Sequence, residues 1–491
     1  MKTILLRKLL FLSFCWFLSA STLQGQSSTF YQTYLYSGVD KAFALAPTLD
    51  GGYVMSGFFG VGFGVHRVLV IKTDSLGNEE WHKVYGHPVR NESWAIIPLD
   101  DGGYMVGATT SGDEFSGDFE DIYLLRLDEY GDTLWTKTHV QDGQEYLFDM
   151  KKCPGGGYII AGGRLAPGDS YADGYALKID DAGNKEWEQS YSIGTEFDIF
   201  WDVEILPDSS YVFNGEVEMG ADVQFQNWLV RTAQDGTEVW SKQYGWVHTE
   251  FSRGGIIIDG EYIVTAGGTT SFSGNLNYDA LITKVDMSGD TVWTKVIDRG
   301  DKEFSANTIT LSNNGDYLVS AWNDNNSSPN ALGGNLDLLR LTSDGDMIWS
   351  REILNGDNSE KSRDVIQNID GSIVIAGETS EGCSGCAFLM KITEDGYLSN
   401  NTTVYSKNNS LSVFPNPSDG LFYIKLPDTP VRYSIQIYNS TGQQLDTYIT
   451  DRQNVLTDID LTSFPDGSYF LVLRDEENEV ISSQTLLKIT R

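Results

Sequence analysis

The chain has 491 residues, with 34 basic against 69 acidic side chains and a formal charge of −35. The length suggests two to four units, and the shortage of bases argues against a nucleic-acid binder, which needs a basic face for the phosphate backbone. Five histidines argue against a histidine-ligated metal enzyme, while 51 glycines, 12 tryptophans and 40% apolar residues fit a packed β protein rather than a disordered acidic tail.

The N-terminus reads as a secretory signal over residues 1–25. Lys2, Arg7 and Lys8 precede an apolar run from Leu9 to Leu18, and Ser19, Ala20 and Gly25 offer small residues for cleavage. The run is shorter than the roughly 20 residues a bilayer-spanning helix needs, and no later segment is apolar enough to cross. The mature chain is therefore expected to have no transmembrane segment. An aromatic strand follows at Phe30 to Tyr36.

From there to residue 398 a repeat of about 53 residues dominates. Trp81, Trp135, Trp187, Trp240, Trp293 and Trp349 recur 52 to 56 residues apart. A glycine stands four residues before each: Gly77, Gly131, Gly183, Gly236, Gly289 and Gly345. Upstream of each lies a turn and an apolar run, as in Asp101-Gly102-Gly103-Tyr104-Met105-Val106, and a third strand such as Tyr123 to Leu127 stands between. Four short strands per unit make one blade of a β-propeller. Seven units have the first and third marker, but only six have the tryptophan strand; the last reaches Asn400 where tryptophan is due. The strand at Phe30 supplies what is missing. The sequence thus predicts an all-β chain whose residues 26–398 form a seven-bladed propeller closed by its N-terminal strand, leaving no open sheet edge.

The turn Asp128 to Trp135 resembles the tryptophan-docking repeat of quinoprotein-like propellers in placing glycine four residues before tryptophan. The adjacent cysteine pair that flanks a quinone is missing, so no cofactor is expected and the tryptophans read as packing between blades. The aspartates of these turns lack the spacing of a calcium loop, and no metal is expected. Cys383 and Cys386 precede the strand-like Ala387 to Ile392 rather than a helix, so a local disulfide is the simpler reading than a redox dithiol. Cys153 has no evident partner in the sequence.

Short turns put one end of every blade on a common face. The other face carries the blade-to-blade crossovers and longer, dissimilar loops: Ser111 to Asp121, Arg164 to Asp173, Glu216 to Gln226 and Asn323 to Asn335. Asp40, Glu92, Glu145, Glu196, Glu250, Glu303 and Glu360 recur once per blade in the crossovers, most followed closely by an aromatic such as Phe43, Trp94, Phe148, Phe197, Phe251 or Phe304. Two readings apply. The carboxylates accept backbone N–H bonds at the crossovers, or they form an acidic funnel at the channel mouth for a cation or basic ligand. The five histidines fall in different repeat phases, so no nucleophile–base set is visible. The expected function is a non-catalytic, monomeric scaffold that binds a glycan, peptide or cationic ligand on the long-loop face. The alternative is a glycan-active or other hydrolytic enzyme using carboxylates of that face.

An asparagine- and serine-rich stretch at 399–410 reads as a linker. Beyond it, residues 411–491 alternate in short runs with turns between, about seven strands in a small immunoglobulin-like sandwich. Phe414-Pro415-Asn416-Pro417, Ile437-Tyr438-Asn439-Ser440-Thr441-Gly442, Asp466-Gly467-Ser468-Tyr469 and Leu487-Lys488-Ile489 stand there in order. This region resembles the C-terminal sorting domain of the type IX secretion pathway of Bacteroidetes-type bacteria. The resemblance implies export through the periplasm, interaction of residues 411–491 with the secretion machinery, and delivery to the cell surface or the medium.

Overall fold

The structure is a computed structural model that describes residues 29–488 apart from 63–64, 88–89, 112–119, 195, 221–224, 247, 273–276, 301–302, 325–333, 355–358, 381–382, 384, 399–411, 415–417, 419, 426–433, 440–442, 450–455 and 475–479. The expected signal at 1–25, the linker at 399–410 and most of the loops at 111–121 and 323–335 lie outside the described residues.

Among the described residues, seven antiparallel sheets follow one another between Phe30 and Ile392, each four strands wide. The first is built from Val39–Pro47, Tyr53–Gly62, Val65–Thr73 and Glu79–Tyr85. In the fifth, the opening strand is split into Glu250–Phe251 and Ile256–Asp259. Third strands such as Asn335–Leu341 and Cys386–Ile392 are buried along their whole length, because other sheets cover both faces. The opening strands of successive sheets touch, and that of the last touches that of the first. They therefore circle a central channel, in a propeller-like arrangement.

The last sheet takes its fourth strand from the start of the chain: Phe30–Tyr34 pairs antiparallel with Cys386–Ile392, from Phe30 opposite Lys391 to Tyr34 opposite Ala387. Phe30 also does the packing that tryptophan does elsewhere. Every repeated glycine lies in a turn with φ between +73° and +82°, where a residue without Cβ is favoured. A Cβ on Gly183 would lie 2.8 Å from the Trp135 ring, and one on Gly236 2.8 Å from Trp187. At Gly77 the ring it would meet, at 2.4 Å, is Phe30. A tyrosine four residues on completes the joint: the hydroxyls of Tyr85, Tyr191 and Tyr244 donate to the carbonyls of Gly131, Gly236 and Gly289 at 2.6–2.7 Å, and Tyr34 does the same to Gly77 at 2.7 Å.

A second repeat sits on the third strands. Lys72, Arg126, Lys178, Arg231, Lys284, Arg340 and Lys391 occupy one register, opposite or beside the tryptophan strand. Most reach a carboxylate in the turn between first and second strands: Lys72 Nζ lies 2.7 Å from Asp50, Arg231 2.8 Å from Asp208, Lys284 2.8 Å from Asp259 and Arg340 2.9 Å from Asp316. Part of the acid excess is thus spent pairing these enclosed bases.

The C-terminal region holds two further sheets. One is Ser412–Phe414, Leu421–Lys425 and Leu456–Asp460; the other, in spatial order, is Gln444–Ile449, Ser434–Asn439, Gly467–Arg474 and Val480–Lys488. Phe422, Ile424, Ile435, Ile437, Ile459, Leu471 and Leu486 of both sheets meet in one buried core. Among the described residues no helix is long and apolar enough to cross a membrane.

Candidate functional site: the mouth of the central channel

Each opening strand carries a β-bulge at the same place: the register slips past Phe43, Trp94, Phe148, Trp201, Asn307 and Arg363. In the split strand Arg253 lies at the equivalent point, after Phe251 opposite Gly268. The bulge sets the phase of each strand. Counting back three residues gives Asp40, Asn91, Glu145, Asp198, Glu250, Phe304 and Glu360, every one buried.

This is where the structure revises the seven carboxylates read from the sequence. Asp40, Glu145, Glu250 and Glu360 share the register. Glu92 lies one residue past it and Glu303 one before, while Glu196 lies outside the strand and Asp198 takes its place. Crossovers of unequal length cause the slips. In register, the backbone N–H groups of Asp40, Glu145, Asp198, Phe304 and Glu360 donate to carbonyls of the preceding sheet's second-to-third loop: Gly385, Glu120, Ala172, Tyr278 and Gly334, at 2.7–3.0 Å. The side chains turn back on the crossover. Asp40 accepts from the N–H groups of Tyr36 at 2.6 Å and Ser37 at 2.9 Å; Asp198 accepts from Ile193 N–H at 2.9 Å. Glu250 accepts from Trp246 N–H and the Thr269 hydroxyl, each at 3.0 Å, and off register Glu303 accepts from Tyr278 N–H at 3.0 Å.

Glu145 and Glu92 are held differently. Glu145 is buried 3.2 Å from Arg164 Nε, and neither of its oxygens takes a well-aligned hydrogen bond. Burial pushes its carboxyl up to about 7 against the pull of Arg164, and Asp121 and Glu188 add to the rise. Glu92 is half-buried, 2.8 Å from His66 Nδ1 and 3.2 Å from Arg90 Nε. Burial opposes its ionisation, but those two bases outweigh it and hold the carboxyl below its usual range.

The bulged residues make the lining. A bulge bends its strand and re-aims a side chain, and here consecutive ones meet around the axis. Arg363 lies 5.0 Å over the Phe43 ring, Phe43 stacks on Trp94 at 4.3 Å, Trp94 meets Phe148 edge-on at 5.4 Å, Phe148 meets Trp201 at 4.5 Å, and Arg253 lies 4.8 Å over Trp201. Asn307 stands between the two arginines and donates to Ser362 O at 3.3 Å. Arg253 is anchored to Glu216 at 2.8 Å, and Arg363 to Glu378, which also binds Lys41. The result is a belt with aromatic residues on one arc and cations on the other. Its aromatic rings are half-buried rather than covered.

Beyond the belt, Asp149, Asp202 and Asp364 each accept an N–H from the next opening strand: Val203 at 3.2 Å, Ile256 at 3.1 Å and Leu45 at 2.9 Å. Lys151 stands among Asp149, Asp202 and Glu204 at 3.3–3.6 Å. Burial raises Asp202 well above the carboxylate range and Glu204 more modestly, while Asp364 rises to about 6 for the same reason. No cluster with metal-site geometry occurs among the described residues. The turn aspartates are taken up by backbone: Asp74 accepts from Leu76 and Asn78 N–H at 2.8 and 2.9 Å. Cys383 and Cys386 are joined in a disulfide, and Cys153 is a buried free thiol 3.8 Å from the Tyr211 hydroxyl.

The sequence singled out Phe43, Trp94 and Phe148 only as followers of the acids, and passed over Trp201, Arg253 and Arg363. Phe197, Phe251 and Phe304, read there as their counterparts, occupy other registers. The loops are also shorter than the sequence suggested: strands run on to Leu165 and Glu218 and resume at Asp173 and Phe225.

Comparison with known proteins assigns the other end of the chain. Residues 412–488 match the secretion system C-terminal sorting domain family. The sorting domain implies secretion through the type IX machinery, to the cell surface or the extracellular space. It coincides with the two-sheet unit built around Phe422 and Ile437. No curated protein matches the chain. Among solved structures, the chain is similar to the β-propeller domain of the Trilobed protease from Pyrococcus furiosus, at 11% identity over 77% of this chain and 98% of that one, with a TM-score of 0.42. It is also similar to a protein of unknown function from Bacteroides caccae, at 10% identity over 62% and 93%, with a TM-score of 0.37. A third is puromycin hydrolase, at 14% identity over 79% and 55%, with a TM-score of 0.40.

Proposed function

We propose that the chain is an exported seven-bladed β-propeller, closed by its N-terminal strand, that works outside the cell as a non-catalytic binding scaffold. Residues 1–25 serve as the export signal, 26–398 as the propeller, 399–410 as linker and 411–491 as an immunoglobulin-like sorting module. The observation that carries the binding role is the belt of bulged residues. A repeat propagates structural residues unchanged, as the glycines and tryptophans show, but the bulge position varies from phenylalanine to arginine while its backbone place stays fixed. Variation of side chain on a constant scaffold is what a recognition surface requires. Three of the carboxylates in register, Asp40, Asp198 and Glu250, accept backbone N–H groups of the crossovers, so recognition is read as falling to the belt and the loops around it.

A second reading, a hydrolase, has one observation in its favour: Asp149, Asp202 and Glu204 gather around Lys151 in the channel, and two of these carboxyls hold protons more tightly than usual. A glycan array run beside a hydrolysis screen on the purified, secreted full chain separates the two. Binding without turnover is expected; turnover abolished by Asp202→Asn and Glu204→Gln would replace the scaffold with an enzyme.

A further inference from the structure

We propose that the channel mouth binds an acidic saccharide, with Arg253 and Arg363 holding its carboxylate and the sugar's C–H surface lying along Phe43, Trp94, Phe148 and Trp201. The inference rests on the scaffold reading above and gives that scaffold a ligand class. Three features of the belt lead to it. First, Arg253 and Arg363 share one arc on either side of Asn307, and the Arg253 side chain is 57% exposed. Glu216 engages one end of its guanidinium, leaving donors directed elsewhere, and a guanidinium fork matches a carboxylate in two parallel hydrogen bonds. In a protein of charge −35, such cations at the mouth select an anion locally against the general field.

Second, the aromatic arc suits a saccharide better than a flat base. Phe43 and Trp94 stack on one another at 4.3 Å with 15° between their planes, so no slot is left between them for a nucleobase. What the half-buried rings offer is edges and outer surfaces, which an aliphatic sugar ring can cover. Third, Glu216 and Glu378 keep the local excess of positive charge small. A singly charged carboxylate is matched there, whereas a doubly charged phosphate is not.

Titration of the purified full chain with trigalacturonate, maltotriose and adenosine monophosphate tests the assignment, read by calorimetry and by tryptophan fluorescence, since Trp94 and Trp201 lie in the belt. Trigalacturonate is expected to bind, to change the fluorescence and to weaken as salt is raised. The Arg253→Gln, Arg363→Gln double variant should lose at least tenfold in affinity, and Arg253→Lys should lose part of it by keeping the charge without the fork. Equal binding of maltotriose, preference for the nucleotide, or unchanged affinity in a double variant that melts like the parent would each overturn the proposal. If the double variant does not fold, absence of salt dependence in the parent does the same. A glycan found on the array that binds independently of Arg253 and Arg363 would leave the scaffold standing and remove only this site.

Discussion

Glu145 shows how much one buried carboxyl imposes on the protein. Its ordinary value of 4.5 is raised to about 7, so the folded chain holds the proton more tightly than the unfolded chain. The stability this gives is complete below about 4.5 and is lost as pH rises through about 7. Asp279 and Asp364, each raised to about 6 chiefly by burial, act in the same direction. Thermal melts are therefore expected to show higher stability near pH 5 than near pH 8. In Glu145→Gln the difference should shrink, because the amide has no proton to release; an undiminished pH dependence would assign the effect elsewhere. The glycine turns make a second prediction at this scale. Gly183→Ala must place a Cβ 2.8 Å from the Trp135 ring at φ +73°. A loss of about 2 kcal/mol in denaturant unfolding is expected from strain and displaced packing together.

The strand is the scale at which sequence reading succeeded and failed for separable reasons. Tryptophan and glycine were legible because the pair performs the same packing at six of the seven joints, with Phe30 in the tryptophan's place at the seventh. Phe30 and Tyr34 were legible as a strand, and their spacing repeats that of Trp81 and Tyr85, so the joint they make could be anticipated. The acids were misphased because pairing, not spacing, fixes register: a one- or two-residue difference in crossover length moved Glu92, Glu303 and Glu196 away from the position that Asp40 and Glu145 hold. Trp201, Arg253 and Arg363 stayed hidden because a bulge conserves backbone place and not residue type. Lys72, Arg126 and their five counterparts were legible by period alone but overlooked in so acidic a chain. Phe30→Ala should cost about 3 kcal/mol, in the range for emptying a buried aromatic site. Deleting residues 29–36 should do more, since the unpaired edge of Cys386–Ile392 then invites strand addition from another copy. Size-exclusion chromatography would show the resulting self-association.

For the molecule as a whole, two assignments meet in one chain: a propeller-like body and a C-terminal domain of the sorting family. Removing residues 412–488 should leave the body folded but stop its delivery. In a host that has the type IX machinery, fractionation is expected to show the truncated chain retained inside the cell and missing from surface and medium. Normal secretion of the truncated chain would contradict the role implied by the family.

The pairing of Phe30 with Lys391 has a consequence for timing. These residues are 361 positions apart, yet the seventh sheet is incomplete until they meet. Each sheet before it can assemble from its own local hairpins as the chain emerges, whereas the closing strand, though among the first segments to appear, has no partner until almost the whole repeat has been made. Contacts of such long range raise the entropic barrier to folding and slow the final step. Until then both Phe30–Tyr34 and Cys386–Ile392 present unpaired backbone, so the chain passes through a late, adhesive stage.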